Sequence, residues 1–344
     1  MQRFNTTFRV QQNHFRRTGI SLLEVMIAIF ILSVGLLSVA SLLPVGSFQV
    51  QKALSEDRKS HVGQNAFREF RTRGMANPAL WIRADGTAYL AQTAPGMNVL
   101  PVAIDPYYLS STILGGSGGA VFPRGGNLTS SMPRIGLSIA STPALAEMIM
   151  VARDDVIYER QADADLPPVG KFEGANLRRM SEGHFSWMAT LAPANFAMRA
   201  VAPGVQFNLS LVVFYKRNIS IANQEDGAGH ERQLSVGSDL SGFGMGGGEI
   251  EVRGTAAETS PKKGEWIMLS CAVPLPAPQS GNGVYHRWYR VVTVGDYDSG
   301  GRALTLAGPD WGSNVAPTHA SIFNGAVALY EKTLHIEGPS VWTN

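Results

Sequence analysis

The sequence predicts an α+β protein with a long N-terminal membrane or assembly helix followed by a mainly antiparallel β globular head. Three observations predict this fold. The stretch from Ile20 to Leu43 is apolar with a single charged residue, and apolar residues then recur every four positions from Val62 to Phe70. Beyond Pro78 the apolar residues alternate with polar ones between glycine and proline turns. The first two patterns are typical of helices and the third is typical of half-buried strands.

Composition excludes several classes of protein. The chain has 344 residues, of which 44% are apolar and 16% are charged. These values exclude a disordered polyelectrolyte and a coiled-coil rod. Four of the 29 basic residues lie in the first nineteen positions, so the rest of the chain has a net charge of −2. Without a clustered basic face, no contact with nucleic acid is expected.

The apolar stretch 20–43 is long enough to cross a membrane. As a helix it would span about 36 Å, whereas the hydrocarbon layer is about 30 Å thick. Arg16 and Arg17 immediately precede it. Basic flanks remain cytoplasmic, so we expect a single-pass protein with a cytoplasmic N-terminus and an exported head.

Glu24 lies inside this apolar stretch, where an ionised carboxylate costs about 2.5 to 3.5 kcal/mol and needs a partner. The stretch is also longer than the apolar core of an ordinary secretory signal. However, Ser38-Val39-Ala40 resembles a conventional cleavage site. An alternative is therefore open, in which an ordinary export signal delivers a membrane-anchored or secreted binding or enzymatic module.

The run Arg16-Arg17-Thr18-Gly19, followed by Ile20-Ser21-Leu22-Leu23-Glu24, resembles the type IV prepilin signal. Residues 14–45 are most similar to minor pilins of the PilV type. The resemblance implies that residues 1–19 are a leader peptide. It also implies that a prepilin peptidase and N-methyltransferase cuts between Gly19 and Ile20, methylates the new Ile20 amine and leaves the apolar helix attached.

The same resemblance implies how the helix assembles. The Ile20 ammonium would pair with Glu24 of its own or a neighbouring subunit, because a mismatch would leave two unpaired charges in a low-dielectric core. The implied partners are other pilin or pseudopilin subunits and inner-membrane lipid. The implied protein is a structural subunit of a type IV pilus or a type II secretion pseudopilus, located in the bacterial inner membrane with a periplasmic head, or in a fibre or at the cell surface.

Residues 44–74 are predicted to form an amphipathic stalk helix that ends at Gly74. Val62, Ala66 and Phe70 form its apolar stripe, which we expect to pack against the head. Pro44 is expected to kink or interrupt the helix, because proline lacks the N–H that an α-helix needs at interior positions.

Residues 75–344 are predicted to form the β-rich head. A boundary near 254–263 would divide it into two subdomains, and the glycine-rich stretches Gly115–Gly119 and Gly242–Gly248 are expected to be exposed loops. A hairpin turn is expected at Asp298–Gly301. The predicted strands are Met148–Glu159, Phe185–Ala192, Gln206–Lys216, Gly264–Val273, Val284–Asp296, Arg302–Ala307 and Ala326–His335.

The sequence contains only weak matches to motifs for catalysis, phosphate binding or metal binding. The glycines of 242–248 are not followed by the lysine and serine of a phosphate-binding loop. Cys271 lies in an apolar strand and is expected to be buried and inert. Asp296 and Asp298 are weak candidates for calcium, but their positions are more typical of a turn. We therefore expect no enzyme activity, no catalytic residue, no metal site and no cofactor.

Overall fold

The computed structural model describes most of the helix and the head. The described residues are 21–89, 101–112, 121–124, 126, 130–152, 157–163, 165–173, 178–179, 183–193, 206–217, 219, 231–237, 246–274, 282–312 and 315–335. The chain forms two compact units, Met1–Glu56 and Asp57–Asn344. A long helix followed by mostly antiparallel strands confirms the predicted α+β fold.

The described residues contain three α-helices and seventeen strands. The α-helices are α1 (Leu22–Thr72), α2 (Pro106–Thr112) and α3 (Pro143–Met150), and single 3₁₀ turns occupy Pro78–Leu80 and Ser138–Ala140. The strands are β1 (Trp81–Ile82), β2 (Val102–Ile104), β3 (Val121–Phe122), β4 (Met132–Leu137), β5 (Tyr158–Glu159), β6 (Val169–Gly170), β7 (Phe172–Glu173), β8 (Arg178–Arg179), β9 (Phe185–Pro193), β10 (Gln206–Tyr215), β11 (Glu231–Val236), β12 (Gly247–Arg253), β13 (Trp266–Pro274), β14 (Asn282–Asp298), β15 (Gly301–Ala307), β16 (His319–Phe323) and β17 (Ala326–His335).

Helix α1 ends in a glycine cap. Gly74 has a φ of 62°, the left-handed conformation that glycine adopts without strain. The Met75 N–H donates to the Phe70 carbonyl at 3.0 Å, and the Gly74 N–H donates to the Arg71 carbonyl at 3.1 Å. These two bonds satisfy carbonyls that the last helical turn would leave unpaired. Gly74, where the sequence indicated the stalk to end, is thus the residue that stops the helix.

The last four turns of α1 pack on one face of a seven-stranded sheet. Val62, Ala66 and Phe70 are buried there, which is the stripe expected from the sequence. Gly63 is buried with them and faces the ring of Tyr330 on β17. The Tyr330 hydroxyl donates to the Lys59 carbonyl at 3.1 Å, so the ring lies along the helix backbone. This close approach requires a residue without a side chain at position 63.

The sheet has the strand order β1-β4-β2-β9-β10-β17, and β3 also pairs with β4. The pairing of β2 with β4 is parallel, and every other pairing in the sheet is antiparallel. Along β10, Phe207, Leu209 and Leu211 contribute to the core beneath α1, whereas Val212 and Phe214 belong to the core on the opposite face. Alternation along one strand therefore gives the sheet two buried faces.

The second face of the sheet is covered by a closed six-stranded antiparallel barrel. Its strand order is β11-β12-β15-β14-β13-β16, and β11 closes the barrel by pairing with β16. The barrel interior is filled with apolar side chains, including Ile250, Ile267 and Tyr289. Trp288 and Phe323 project from the barrel into the core shared with the sheet. The barrel is inserted between β10 and β17, which are themselves neighbours in the sheet.

Six of the seven predicted strands are present, β17 with the predicted ends and the other five with ends shifted by one or two residues, and one prediction is wrong. Within Met148–Glu159, Met148 to Met150 close helix α3 and Val151 forms a single bridge to Ser186. Residues 153–156 lie outside the described residues, and of the remainder only Tyr158–Glu159 is a strand. Residues 148–150 are helical because a helix-start signal lies a few residues before them. The Thr142 hydroxyl accepts from the Leu145 N–H at 3.4 Å and Pro143 occupies the first turn, a combination that favours a helix.

Two further expectations about the head differ from the structure. The proposed boundary near 254–263 lies inside the barrel, because it joins β12 to β13. Of the glycine-rich stretch 242–248, Gly247 and Gly248 are not loop residues, since they begin β12 and pair with Ala307 and Leu306 of β15. Residues 242–245 and Gly115–Gly119 lie outside the described residues.

Candidate functional site

The exposed surface of α1 is the main candidate site. Every residue from Ser21 to Leu54 is exposed, although most of them are apolar. Soluble proteins rarely expose contiguous apolar surface of this size, which marks a site of membrane or protein contact. The large exposed apolar residues are Leu22, Leu23, Val25, Met26, Ile27, Ile29, Phe30, Ile31, Leu32, Val34, Leu36, Leu37, Val39, Leu42, Leu43, Val45, Phe48, Val50 and Leu54.

The serine hydroxyls of this surface are paired within the helix. Ser33 donates to the Phe30 carbonyl at 2.8 Å and Ser38 donates to the Val34 carbonyl at 2.9 Å. Ser41 and Ser47 donate in the same way to carbonyls three residues earlier, at 2.7 and 2.9 Å. Because these hydroxyls need no water, the surface is compatible with lipid or with a core of packed helices.

The start of α1 brings Ser21 and Glu24 together. The Ser21 hydroxyl accepts from the Leu23 N–H at 3.3 Å, and the Ser21 carbonyl accepts from the Glu24 N–H at 3.0 Å. Ser21 is thus the N-cap and Glu24 occupies the third helical position, the spacing of a capping box. The positive end of the helix dipole also favours a carboxylate in this turn. Sequence reasoning missed this role of Ser21, although the Ser-x-x-Glu spacing indicates it.

Pro44 lies inside α1 and does not interrupt it. It cannot donate a hydrogen bond to the Ala40 carbonyl, so a local kink at this position stays a prediction. The leader 1–19, with Gly19, and the first mature residue Ile20 lie outside the described residues. The pairing of Ile20 with Glu24 is therefore a proposal.

Comparison with protein families finds a known motif at the N-terminus. Residues 14–40 match the prokaryotic N-terminal methylation motif, and the apolar helix α1 continues from the motif. The chain fits a type IV prepilin-like protein. Among the described residues, α1 is the one helix long and apolar enough to cross a membrane. No curated protein and no solved structure matches the chain.

The head carries the calcium candidates at the end of β14, next to a hairpin turn. Asp296 and Asp298 are exposed at the end of β14. The chain reverses through Ser299 and Gly300, which have φ values of 50° and 83°, and Asp298 pairs with Gly301 across the predicted hairpin. The Ser299 hydroxyl donates to Asp298 Oδ1 at 3.0 Å. Among the described residues, no group of three histidine, cysteine or acidic side chains is placed to hold a metal ion.

Cys271 is buried in β13. Its Sγ lies 3.6 Å from the Val315 carbonyl. This environment agrees with the expectation of a buried structural thiol.

A polar cleft lies between the sheet and the barrel. Asn208, Ser210 and Glu331 line it from the sheet, and His286 and Arg287 line it from β14 of the barrel. The Ser210 hydroxyl donates to Glu331 Oε1 at 3.0 Å. His286 is buried, and its Nδ1 has no hydrogen-bond partner among the described residues. Burial, with a smaller contribution from the charge of Arg287, lowers the pKa of His286 to about 3.

The buried imidazole makes the head sensitive to mild acid. The unfolded chain binds a proton on His286 below pH 6.5, whereas the folded chain does so only near its pKa of about 3. Stability is therefore fully present above pH 6.5 and is lost as pH falls. We expect a loss of roughly 2 kcal/mol between pH 6.5 and 4.5. Chemical denaturation followed by tryptophan fluorescence at these two pH values measures the loss.

The matched variants are His286→Gln and His61→Gln. His286→Gln is expected to remove most of the stability difference between pH 6.5 and 4.5, whereas replacing the exposed His61 should leave it unchanged. If His286→Gln loses as much stability between pH 6.5 and 4.5 as the natural chain does, another titratable group is responsible for the loss.

Proposed function

We propose that this protein is a structural assembly subunit, a type IV minor pilin or a type II secretion pseudopilin. In this proposal, a prepilin peptidase and N-methyltransferase removes residues 1–19 and methylates Ile20. The mature subunit is held in the bacterial inner membrane with a periplasmic head. It is then packed through α1 with other pilin or pseudopilin subunits into a fibre or pseudopilus. Its function is assembly rather than catalysis.

The length of the exposed apolar surface is the observation that carries the proposal. From Leu22 to Leu54 the helix extends about 50 Å, whereas the hydrocarbon layer is about 30 Å thick. About 20 Å of helix is therefore left over after the membrane is crossed, and it carries large apolar side chains beside Gln49, Gln51 and Lys52. Val45, Phe48 and Leu54, which lie in this surplus, are 52%, 68% and 55% exposed. A simple membrane anchor has no need of this surplus, whereas packing against neighbouring helices would bury it.

Glu24 supports the same proposal. It lies in the first turn of α1, four residues along the chain from the amine that cleavage would create at Ile20. In a packed bundle of helices, the carboxylate and amine of adjacent subunits can pair only at one axial offset. The apolar surface would supply adhesion and this charge pair would supply register.

Mass spectrometry of the mature N-terminus tests the proposal. A chain beginning at N-methylated Ile20 is expected. A chain beginning at Ser41 would instead identify an ordinary export signal and a secreted module, and an intact Met1 would identify a plain membrane anchor. Either of these two results overturns the proposal.

The control for this measurement is a Gly19→Val variant. The proposed peptidase requires glycine before the cleavage site, so this variant is expected to accumulate as the unprocessed precursor. A normal mature protein from Gly19→Val would remove Gly19 as the processing determinant.

A further inference from the structure

Four buried charged side chains meet where the chain passes from the sheet into the barrel. Asp105 follows β2, Arg134 lies on β4, Arg217 follows β10 and Glu231 begins β11. The side chains of Asp105 and Arg134 are fully buried, and those of Arg217 and Glu231 are 3% and 8% exposed. Three of these residues belong to the sheet side, and only Glu231 belongs to the barrel.

The three residues on the sheet side form an ordered group. Arg217 donates two hydrogen bonds to Asp105, at 3.2 Å to Oδ1 and 2.6 Å to Oδ2. Arg134 Nη1 lies 3.4 Å from Asp105 Oδ2, and its guanidinium stacks 3.7 Å from the ring centre of Tyr108. The Tyr108 N–H also donates to Asp105 Oδ1 at 3.3 Å. Asp105 thereby fixes the orientation of the Arg217 guanidinium by two hydrogen bonds, and the Arg134 guanidinium lies between Asp105 and the Tyr108 ring.

This group has one positive charge in excess, because two guanidinium groups face one carboxylate. One terminal nitrogen of each guanidinium points to the carboxylate of Glu231, whereas Arg134 Nε and Nη1 have no hydrogen-bond partner among the described residues. Arg217 Nη2 donates to Glu231 Oε1 at 2.9 Å, and Arg134 Nη2 donates to Oε2. The backbone N–H of Arg124 also donates to Oε2 at 3.2 Å. Two guanidinium groups and one amide therefore bind a carboxylate in a site closed to solvent.

The energetics favour the charged form of the bound group. Burial alone would raise the pKa of Glu231, but the charges of Arg134 and Arg217 outweigh it and lower the pKa to about 2. An exposed ion pair of the barrel offers a contrast. Arg253 and Glu251 are 3.5 Å apart with side chains 57% and 30% exposed, and such surface pairs contribute little to stability.

We propose that the sheet carries a carboxylate-binding socket, formed by Asp105, Arg134, Arg217 and the Arg124 amide, and that Glu231 is its tethered ligand. Binding of this one carboxylate docks the inserted barrel on the sheet in a single orientation. The apolar core around Trp288 and Phe323 supplies adhesion, and Trp288 Nε1–H also donates to the Thr190 hydroxyl at 3.4 Å. The buried charges add a further penalty for any other orientation, because a misplaced charge is left unpaired.

A Glu231→Ala variant tests the socket by chemical rescue. The atoms removed from Glu231 correspond to acetate, so acetate should bind the vacated socket. The full-length protein in detergent micelles is heated at pH 7 while tryptophan fluorescence is followed. We expect the Tm of Glu231→Ala to fall by roughly 10 °C. We then expect about 100 mM acetate, compared with chloride at equal ionic strength, to restore roughly 3 °C.

Two control variants test whether the acetate effect is specific to the empty socket. Leu234→Ala, a truncation of a buried residue on the same strand, is expected to lower the Tm without an acetate response. Glu231→Gln, which fills the socket with an uncharged group of the same shape, is also expected to show none. If Glu231→Ala does not fold on expression, the yield on refolding in acetate and in chloride replaces the Tm. An acetate effect equal in Glu231→Ala and Leu234→Ala, or absent from both, overturns the proposal.

Discussion

A Glu24→Ala variant is expected to be cleaved normally after Gly19 and to be lost from assembled fibres. Cleavage should persist because the basic leader and Gly19 are unchanged. Assembly should fail because the alanine leaves the Ile20 ammonium of a neighbouring subunit without a partner in a low-dielectric core. Removing one partner of a buried ion pair costs about 3 to 5 kcal/mol, so incorporation should fall at least about 100-fold.

The measurement compares the protein in sheared fibres or isolated pseudopili with the protein in the membrane fraction. Glu56→Ala is the matched control, because Glu56 is an exposed acid of the same helix that lies beyond the apolar stretch. Its incorporation should equal that of the natural chain. Undiminished incorporation of Glu24→Ala would refute the register role proposed for this carboxylate.

A Gly63→Val variant is expected to destabilise the head by about 3 kcal/mol, which corresponds to a fall in Tm of roughly 6 to 12 °C. A Cβ at this position would lie 2.5 Å from Cζ and 2.6 Å from Cδ2 of Tyr330. The ring cannot move away freely, because its hydroxyl is bonded to the Lys59 carbonyl and β17 is paired along its length with β10. Valine must therefore separate the helix from the sheet.

Gly46→Val provides the control for helix propensity. Gly46 lies in the same helix, but a Cβ there would meet no atom within 4 Å. The two variants make the same chemical change, and valine is slightly better than glycine in a helix interior. Thermal unfolding should therefore show a large loss for Gly63→Val and none for Gly46→Val. Equal Tm values for the two variants would contradict the assigned contact with Tyr330.

The sequence predicts the N-terminal helix and the class of the head, because both depend on local patterns. The uninterrupted apolar stretch determines most of α1, and alternation over nine or more residues identifies β9, β10, β13, β14 and β17. Strands β2, β11 and β16 are missed because they have only three, six and five residues. Their alternating patterns cover too few residues, or contain too many polar residues, to be distinguished from the sequences of loops.

Gly63 and the carboxylate socket show a second limit of sequence reasoning. From the sequence alone, Gly63 is only a residue of low helix propensity. The structure shows why glycine is needed there, because the ring of Tyr330 packs directly against it. Asp105, Arg134, Arg217 and Glu231 are scattered over four segments, and each alone resembles an ordinary surface charge. Their pairing depends on the order of strands in the sheet, which the alternation pattern does not specify. The processing motif is local, so it is visible without any tertiary structure.

The insertion of the barrel between two paired strands has a consequence for protein engineering. Phe214 and Ala326 are register partners, so the chain leaves and re-enters the sheet at nearly the same point. A turn of about two to five residues would close that gap. The barrel can thus be treated as a removable cassette. Its removal would uncover the apolar side chains of the sheet that pack against it, among them Phe122, Met132, Met188, Val212 and Phe214, so polar replacements would be needed across that whole face.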